Sequence, residues 1–177
     1  MFLSKGRFGI KLIPLGKVPG DIQEYLTEAL QGVFRKKVFR LKKQKIPTQA
    51  FDLNRSQYNS KELIEFLQAQ KTYKEKIIGL INEDIFKPGF PFVFGEANSL
   101  KDVAVVSLWR FEQNMEFFDC DPELFKSRGK KEAIQKMGHI YGLRHCVNPN
   151  CVMFYSHTIS DIDVKSDEFC THCKDRL

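Results

Sequence analysis

The sequence predicts an α/β (α+β) domain with a mixed, twisted sheet and backing helices, and three observations support this class. Short apolar segments alternate with segments whose apolar residues recur at helical spacing, as expected for strands and helices that share one core. The chain has 177 residues, which suits a single domain. Hydrophobic residues make up 42% and charged residues 28%, so neither a disordered nor a membrane-embedded chain is indicated.

The first predicted elements are a strand and a helix. Phe8–Leu15 is a largely apolar run that ends beside a proline and a glycine, as strands often do. Asp21 is the expected N-cap of the helix that follows, and Glu24 is its expected capping-box partner. Apolar residues then recur at helical spacing as far as Val33, which predicts about three to four turns.

A second strand and a second helix are predicted next. Val38–Leu41 is interpreted as a strand inside the basic run 35–45, which carries seven positive charges. Such a run is more often a solvated strand and turn than a nucleic-acid site. After a loop that begins at Pro47, Ser60 is the expected cap of a helix whose apolar positions include Leu63.

Three further strands are predicted in the middle of the chain. They are Lys76–Ile85, Phe90–Ala97 and Val103–Trp109. Pro91 places the start of the second of these at a sheet edge, because proline cannot donate to a ladder of hydrogen bonds. The third is continuously apolar and is therefore expected to be buried.

Helical signals return after this strand. Asp121 and Pro122 mark a helix start, with proline at the first helical position. A helix is expected from about Gly129 to Tyr141, and Gly142 can end it in a left-handed conformation. We expect one domain over residues 1–177, in which residues 1–128 form the sheet and its helices and residues 129–177 carry the chemistry.

Cysteines are concentrated at the end of the chain, as one C-x4-C pair and one C-x2-C pair: Cys146, Cys151, Cys170 and Cys173. The start of the chain lacks the continuous apolar stretch of a secretory signal, so we expect a cytoplasmic, reducing environment and no membrane association. There, short paired spacings favour tetrahedral zinc over two disulfides or plain buried cysteines. Cys120 stands apart and is expected to be an ordinary cysteine.

A histidine pattern directly precedes these cysteines, in the segment QKMGHIYGLRHC. His139, Gly142 and His145 have the spacing of the second ligand, the glycine and the third ligand of the zinc-protease signature H-E-x-x-H-x-x-G-x-x-H. In that signature the glutamate activates a metal-bound water. Gln135 and Lys136 stand where the first histidine and the glutamate belong.

Taken together, these features resemble the archaemetzincins, a branch of the metzincin metallopeptidases. The resemblance rests on the cysteine that directly follows His145, on the pattern C-x4-C-x-M that ends at Met153, and on the distant C-x2-C. It extends upstream to the segments PTQAFDLNRSQYNS, FVFGEA and VVSLWR, and so covers most of the chain. It implies a metzincin-like domain with zinc-dependent peptidase ancestry and a C-terminal segment tied by structural zinc.

The resemblance also implies roles for individual positions. The four terminal cysteines match a structural zinc site, and His139 and His145 match two ligands of a catalytic zinc. Gln135 marks the lost first ligand, because an amide oxygen is a weaker zinc donor than imidazole. Lys136 occupies the general-base position, where an ammonium group cannot replace a carboxylate. We therefore expect one structural zinc, no favoured occupancy of the catalytic position, and absent or severely impaired catalysis.

Other positions receive weaker assignments. Met153 matches the methionine of the turn beneath the metal. Tyr155 is a candidate contact to zinc or to a developing oxyanion, and His157 a candidate substitute ligand, although an ordinary surface role suits both. The edge strand, with Phe92, Val93, Phe94 and Gly95 as candidate substrate-binding residues, resembles the one along which metzincins lay an extended peptide; an edge strand that pairs with nothing is the alternative.

Three functions therefore compete. The first is an archaemetzincin fold without catalysis, which keeps its structural zinc and binds a peptide or protein segment. The second is an active zinc peptidase with unusual coordination. The third is a zinc-ribbon-like nucleic-acid module, suggested by the cysteines and a net charge of +6. We favour the first and consider nucleic acid the weakest.

Overall fold

The computed structural model describes residues 9–112 and 121–177. A five-stranded mixed sheet carries helices on both faces, and a small three-stranded sheet lies beside it. The strands are β1 (Ile10–Leu15), β2 (Val38–Arg40), β3 (Phe51–Asp52), β4 (Gln57–Asn59), β5 (Lys76–Ile81), β6 (Ile85–Phe86), β7 (Gly95–Asn98) and β8 (Val103–Ser107). The helices are α1 (Gly20–Phe34), α2 (Ser60–Gln68), α3 (Trp109–Glu112), α4 (Pro122–Ile140), α5 (Ile159–Val164) and α6 (Thr171–Lys174).

The large sheet has the order β2-β1-β5-β8-β7. The four strands from β2 to β8 are parallel, whereas β7 runs antiparallel to β8 at one edge. The small sheet has the order β3-β4-β6. This mixed sheet with backing helices confirms the predicted class, and it leaves β2 and β7 as the two edges of the large sheet.

Both faces of the sheet are covered because its central strands are apolar on both sides. Ile10 and Leu12 of β1 pack with α1 and α4 in one core, whereas Ile13 and Leu15 pack with α2 in the other. The continuous apolar pattern of Val103–Ser107 has the same cause, since every residue of β8 is buried. None of the helices in the described ranges has the length and apolar character that a membrane span requires.

Two predicted helix starts are wrong. The first helix begins at Gly20 after Pro19, so Asp21 lies inside the first turn and no side chain caps this end. Asn59, not Ser60, caps α2, by accepting a hydrogen bond from the Lys61 backbone N–H at 3.0 Å. The Ser60 hydroxyl instead donates to Glu96.

The strand predicted over Phe90–Ala97 is also misplaced, because the strand at this edge is Gly95–Asn98. Of the four candidate substrate-binding residues, only Gly95 therefore lies in a strand; Phe92, Val93 and Phe94 precede it. Val93 and Phe94 still bond to the backbones of Ile85 and Ser107, whereas the carbonyls of residues 90 and 91 bond to a side chain. Arg55 donates from Nη2 to the carbonyls of residues 90 and 91, both at 3.0 Å.

Three other predicted boundaries change, and one of them is the end of the strand predicted over Val103–Trp109: the strand ends at Ser107, and Trp109 begins α3. The strand predicted over Lys76–Ile85 ends at Ile81, and Ile85 belongs to the small sheet. The two predicted helical segments after Asp121 are one continuous helix, α4, which begins at Pro122 with Asp121 as its cap. Its end agrees with the prediction, because Gly142 follows with a φ of 93°. Cys120 lies outside the described residues.

Candidate metal centres and cleft

Helix α4 carries three of the candidate site residues, Gln135, Lys136 and His139, and it is buried on several sides. It packs against α1, β7 and β8, and also against α5 of the C-terminal segment. This explains why the helix buries polar side chains as well as apolar ones: Arg128, Lys131, Glu132 and Gln135. Each of them needs a partner, because an unpaired buried polar or charged group is costly.

The partners of these groups come largely from the C-terminal segment. Arg128 forms two hydrogen bonds to the carboxylate of Asp163, both at 2.7 Å. Lys131 Nζ donates to the carbonyls of Ile162 and Asp163 at 2.9 Å. The stretch of chain between Cys151 and Cys170 is therefore held against α4 by polar contacts as well as by apolar packing.

The four terminal cysteines come together in one cluster. Their sulfur atoms all lie within 4.8 Å of one another, and Cys146 Sγ is 3.8 Å from Cys170 Sγ. A tetrahedral site with Zn–S bonds of about 2.3 Å has S···S edges of about 3.8 Å, whereas a disulfide needs about 2.05 Å. The cluster therefore fits a structural zinc site, as predicted, and all four cysteines are free thiols in the structure.

Backbone N–H groups point at two of these sulfur atoms. The Cys170 N–H donates to Cys151 Sγ at 3.3 Å, and the Asn148 N–H donates to Cys146 Sγ at 3.5 Å. For Cys151, burial outweighs this donor and raises the pKa of the thiol. Hydrogen bonding by the Cys173 backbone lowers the pKa of Cys170 to about 7.

The two histidines meet at the end of α4, because the turn at Gly142 brings the chain back. The rings of His139 and His145 have centroids 4.6 Å apart and are nearly perpendicular. His139 Nδ1 lies 2.9 Å from the Leu143 carbonyl oxygen. Because a carbonyl oxygen only accepts hydrogen bonds, Nδ1 carries the proton and Nε2 has the free lone pair. This places both histidines as the sequence pattern predicts.

Met153 lies beneath this turn of the helix. It is fully buried, and a Cβ built on Gly138 would approach its sulfur to 2.5 Å. The Cys146 N–H also donates to the Met153 carbonyl at 3.0 Å. The methionine turn therefore packs directly against the residue before His139, and glycine is required at position 138 for this close approach.

The first-ligand position is occupied by a fully engaged amide. Gln135 is buried; its Nε2 donates to the Phe154 carbonyl at 2.7 Å, and its Oε1 accepts from Lys136 Nζ at 2.7 Å. The oxygen that could contact a metal is thus already hydrogen-bonded to an ammonium group.

Lys136 in turn belongs to a buried ionic network that the sequence analysis did not predict. Its Nζ is 3.0 Å from Glu132 Oε2, and Lys165 Nζ is 3.0 Å from Glu132 Oε1. Burial alone would raise the pKa of Glu132, but the two lysine charges outweigh it and lower that pKa to about 2. The Glu132–Lys136 spacing of four residues is a recognisable helical pair, whereas nothing in the sequence indicates Lys165.

The histidines are kept neutral by this environment. Burial, followed by the positive charge of Lys136, lowers the pKa of His139 to about 4. Desolvation and the same charge also lower the pKa of His145. Among the described residues the four cysteines are the group placed to share a metal; the two histidines have no third His, Cys, Asp or Glu ligand arranged around them in that way.

Tyr155 and His157 extend the histidine pair into a row of four rings. The centroid distance is 4.6 Å from His145 to Tyr155 and 4.3 Å from Tyr155 to His157, and both contacts are edge-to-face. The predicted accessory residues therefore do lie beside the histidines.

A cleft of about 720 Å³ opens between the edge strand and these rings. The edge strand contributes Gly95, Glu96 and Ala97, and α4 and the turn after it contribute Lys136, His139, Arg144 and His145. Val93 also lines the cleft, whereas Phe92 and Phe94 face a smaller adjoining cavity of about 170 Å³.

Comparison with known proteins agrees with this geometry. Residues 14–177 match the sequence pattern described as peptidase family M54. The archaemetzincin of Pyrococcus abyssi is 36% identical over 176 residues, which cover 95% of this chain and 93% of that relative. The crystal structure of the Methanopyrus kandleri archaemetzincin aligns with a TM-score of 0.84 at 32% identity, covering 98% of this chain and 96% of that one.

A second crystal structure, of the Archaeoglobus fulgidus archaemetzincin complexed with malonate, aligns with a TM-score of 0.82 at 32% identity and covers 95% of this chain and 99% of that one. The fold, the histidine pair at the end of α4 and the cysteine cluster thus define a zinc metallopeptidase class. Within it, the chain belongs to peptidase family M54, the archaemetzincins.

Proposed function

We propose that this archaemetzincin has lost, or nearly lost, peptide hydrolysis and retains a peptide-binding cleft and a structural zinc. The observation that carries the proposal is the saturation of Gln135, whose amide oxygen and nitrogen are both hydrogen-bonded within the protein. A metal at the histidines would have to displace the ammonium of Lys136 from that oxygen and would then face a like charge.

The second argument is the absence of a base at the motif position. Lys136 Nζ forms an ion pair with Glu132 at 3.0 Å, and the carboxylate of Glu132 is shared by two lysines. Neither group is arranged to accept a proton from water in the cleft. Loss of a ligand and of the base together is expected to lower kcat by several orders of magnitude, without the two losses being additive.

The structural zinc would be held by Cys146, Cys151, Cys170 and Cys173, whose free thiols and S···S distances fit it. When bound, zinc supplies a cross-link between the turn after α4 and the C-terminal end. Reduced thiols are needed for this, so we infer a reducing, cytoplasmic environment for the protein.

The edge strand supports peptide binding. The Ser107 N–H donates to the Phe94 carbonyl at 2.9 Å, so Phe94 and Ser107 form a hydrogen-bonded pair. Because such pairs alternate along antiparallel strands, Gly95 and Ala97 direct their N–H and C=O groups away from β8. Both residues line the cleft, where an extended peptide can add to the sheet.

Metal analysis and a peptidase assay test the loss of catalysis. We expect one zinc per chain and no chelator-sensitive cleavage of a mixed peptide library. The double change Gln135→His with Lys136→Glu should add a second metal, because it restores both motif residues, whereas Gln135→His alone leaves the ammonium group in place. Two metals in the unaltered protein, together with metal-dependent cleavage, would contradict the proposal.

The row of rings favours one alternative, an active peptidase with unusual coordination. Tyr155 and His157 lie close enough to the histidines for a modest movement to bring one of them to a shared metal. In that case His157→Ala or Tyr155→Phe would abolish a cleavage activity that the unaltered protein shows. If the unaltered protein, His157→Ala and Tyr155→Phe all contain the same amount of metal and none of them cleaves peptides, this alternative is wrong.

A further inference from the structure

The charge of the cleft differs from that of an ordinary peptide groove, because lysine and arginine outnumber carboxylates in its lining. Lys87, Lys136 and Arg144 line it, together with two histidines, and Glu96 is the acidic residue among its described lining residues. A cation at the Lys136 position is also the reverse of the carboxylate that the zinc-protease signature places there.

The carboxylates near the cleft are already paired. Glu96 forms an ion pair with Lys87 at 2.9 Å and accepts a hydrogen bond from Ser60. Glu132 is shared by Lys136 and Lys165, so one carboxylate contacts two lysines and a formal excess of one positive charge remains.

Arg144 adds an exposed positive charge at the rim. It forms no ion pair with any other residue in the described ranges. It also lines an adjoining cavity of about 310 Å³ together with His172 and Arg176, and no Asp or Glu is among the described residues that line this cavity. The positive surface therefore continues from the floor of the cleft past its rim.

Lys136 lies in this cleft beside the open edge of β7. A Cβ built on Gly95 would lie 3.0 Å from Lys136 Cε and 3.2 Å from its Cγ, so the lysine stem crosses the strand at the residue whose N–H and C=O face outward. A peptide paired with Gly95 and Ala97 would run past Lys136 in a cleft that Arg144 also lines.

We propose that the cleft selects extended peptides that carry a carboxylate beside Lys136 and Arg144. This rests on the proposed peptide-binding function and adds the class of ligand. Main-chain pairing with β7 would provide sequence-independent affinity, and charge-assisted hydrogen bonds to the carboxylate would provide selectivity. The carboxylate is either an internal Asp or Glu side chain or a free C-terminus.

Fluorescence polarisation with labelled peptides tests this on the zinc-loaded protein. The probes are Thr/Val decapeptides with one central Glu, the same peptide with Gln, and each of these with a free or an amidated C-terminus. We expect the Glu peptide, or the free-acid peptide, to bind about tenfold more tightly than its neutral twin. This ratio should shrink when salt rises from about 0.05 to about 0.3 M.

Two variants and a matched control locate the effect. Arg144→Gln and Lys136→Met should each lower the ratio between the affinities for the Glu peptide and for its neutral twin. Arg40→Gln removes the same charge from β2, at the opposite edge of the sheet, and should change nothing. Thermal unfolding of each variant establishes that it is folded; Arg144 is exposed, so its substitution leaves the core intact.

The outcomes separate the two proposals. Equal binding of acidic and neutral peptides would overturn the carboxylate preference and leave peptide binding standing. Binding of no peptide would overturn both. Tighter binding of an oligothymidine of about 12 nucleotides than of the Glu peptide would assign the positive surface to nucleic acid and overturn the inference.

Discussion

At the scale of single residues, the buried network around Glu132 replaces the arrangement that the zinc-protease signature implies. Lys165 has no exposed side-chain surface and Glu132 has 1%, so their contact is far from water. Breaking such a pair by removing one partner leaves a buried charge without compensation, which typically costs about 3–5 kcal/mol.

Glu132→Gln is therefore expected to lower the free energy of unfolding by about 3–5 kcal/mol in urea denaturation. Glu123→Gln is the matched control, because Glu123 lies on the same helix, is 80% exposed and pairs with Lys126 at 3.3 Å; it should change stability by less than about 1 kcal/mol. Similar losses for the two variants would contradict a stabilising role of the network.

The same network predicts that the stability of the folded protein depends on pH. Since the folded protein lowers the pKa of Glu132 from 4.5 to about 2, its contribution to stability is present above about pH 4.5 and is lost as the pH falls toward 2. The stability difference between the unaltered protein and Glu132→Gln should narrow over that range. A difference that stays constant between pH 6 and pH 3 would argue against it.

At the scale of elements, α4 was predictable in part. Its capping residues and its terminal glycine are local signals, so its start and its end followed from the sequence once the two helical segments were joined. The four-cysteine cluster was predictable for a different reason: each of its halves, C-x4-C and C-x2-C, is a local motif, and a shared zinc ion accounts for two such halves meeting. The contacts of Gln135 with Phe154 and of Glu132 with Lys165 were not, because they join residues 19 and 33 positions apart and have no motif.

The contact between Gly138 of α4 and Met153 predicts how a substitution in this helix changes stability. Gly138→Ala places a methyl group 2.5 Å from Met153 Sδ and 3.4 Å from Phe169 Cε1, so it should destabilise the protein by about 1–3 kcal/mol. Gly32→Ala in α1 meets nothing within 4 Å and should be neutral or stabilising by up to about 1 kcal/mol. Urea denaturation of both variants checks this pair, and equal effects would show that the methionine does not constrain the helix.

At the scale of the whole molecule, the sheet and the C-terminal segment depend on different interactions. The sheet is held by two apolar cores and by ladders that include six register pairs between β1 and β5. The segment after α4 shares one of these cores through residues such as Met153 and Ile162, but it has little regular structure and depends in addition on the cysteine cluster and on its polar contacts with α4. The alternation of strands and helices made the sheet predictable. The start of its edge strand was misplaced because the carbonyls of residues 90 and 91 bond to Arg55 and the Val93 N–H bonds to Ile85 of the small sheet.

Zinc removal should therefore loosen one part of the molecule selectively. After treatment with a strong chelator, amide hydrogen exchange should accelerate at Cys146, Val152 and Cys173, whose N–H groups bond to the carbonyls of Met153, Glu168 and Cys170. Amides of β1 and β5 should keep their protection, because their ladder contains no cluster residue. Adding zinc back should restore slow exchange, since ligand binding to the folded state alone stabilises it. Equal acceleration in both regions would show that the cluster supports the entire fold, and no acceleration would show that the cysteines hold no structural metal.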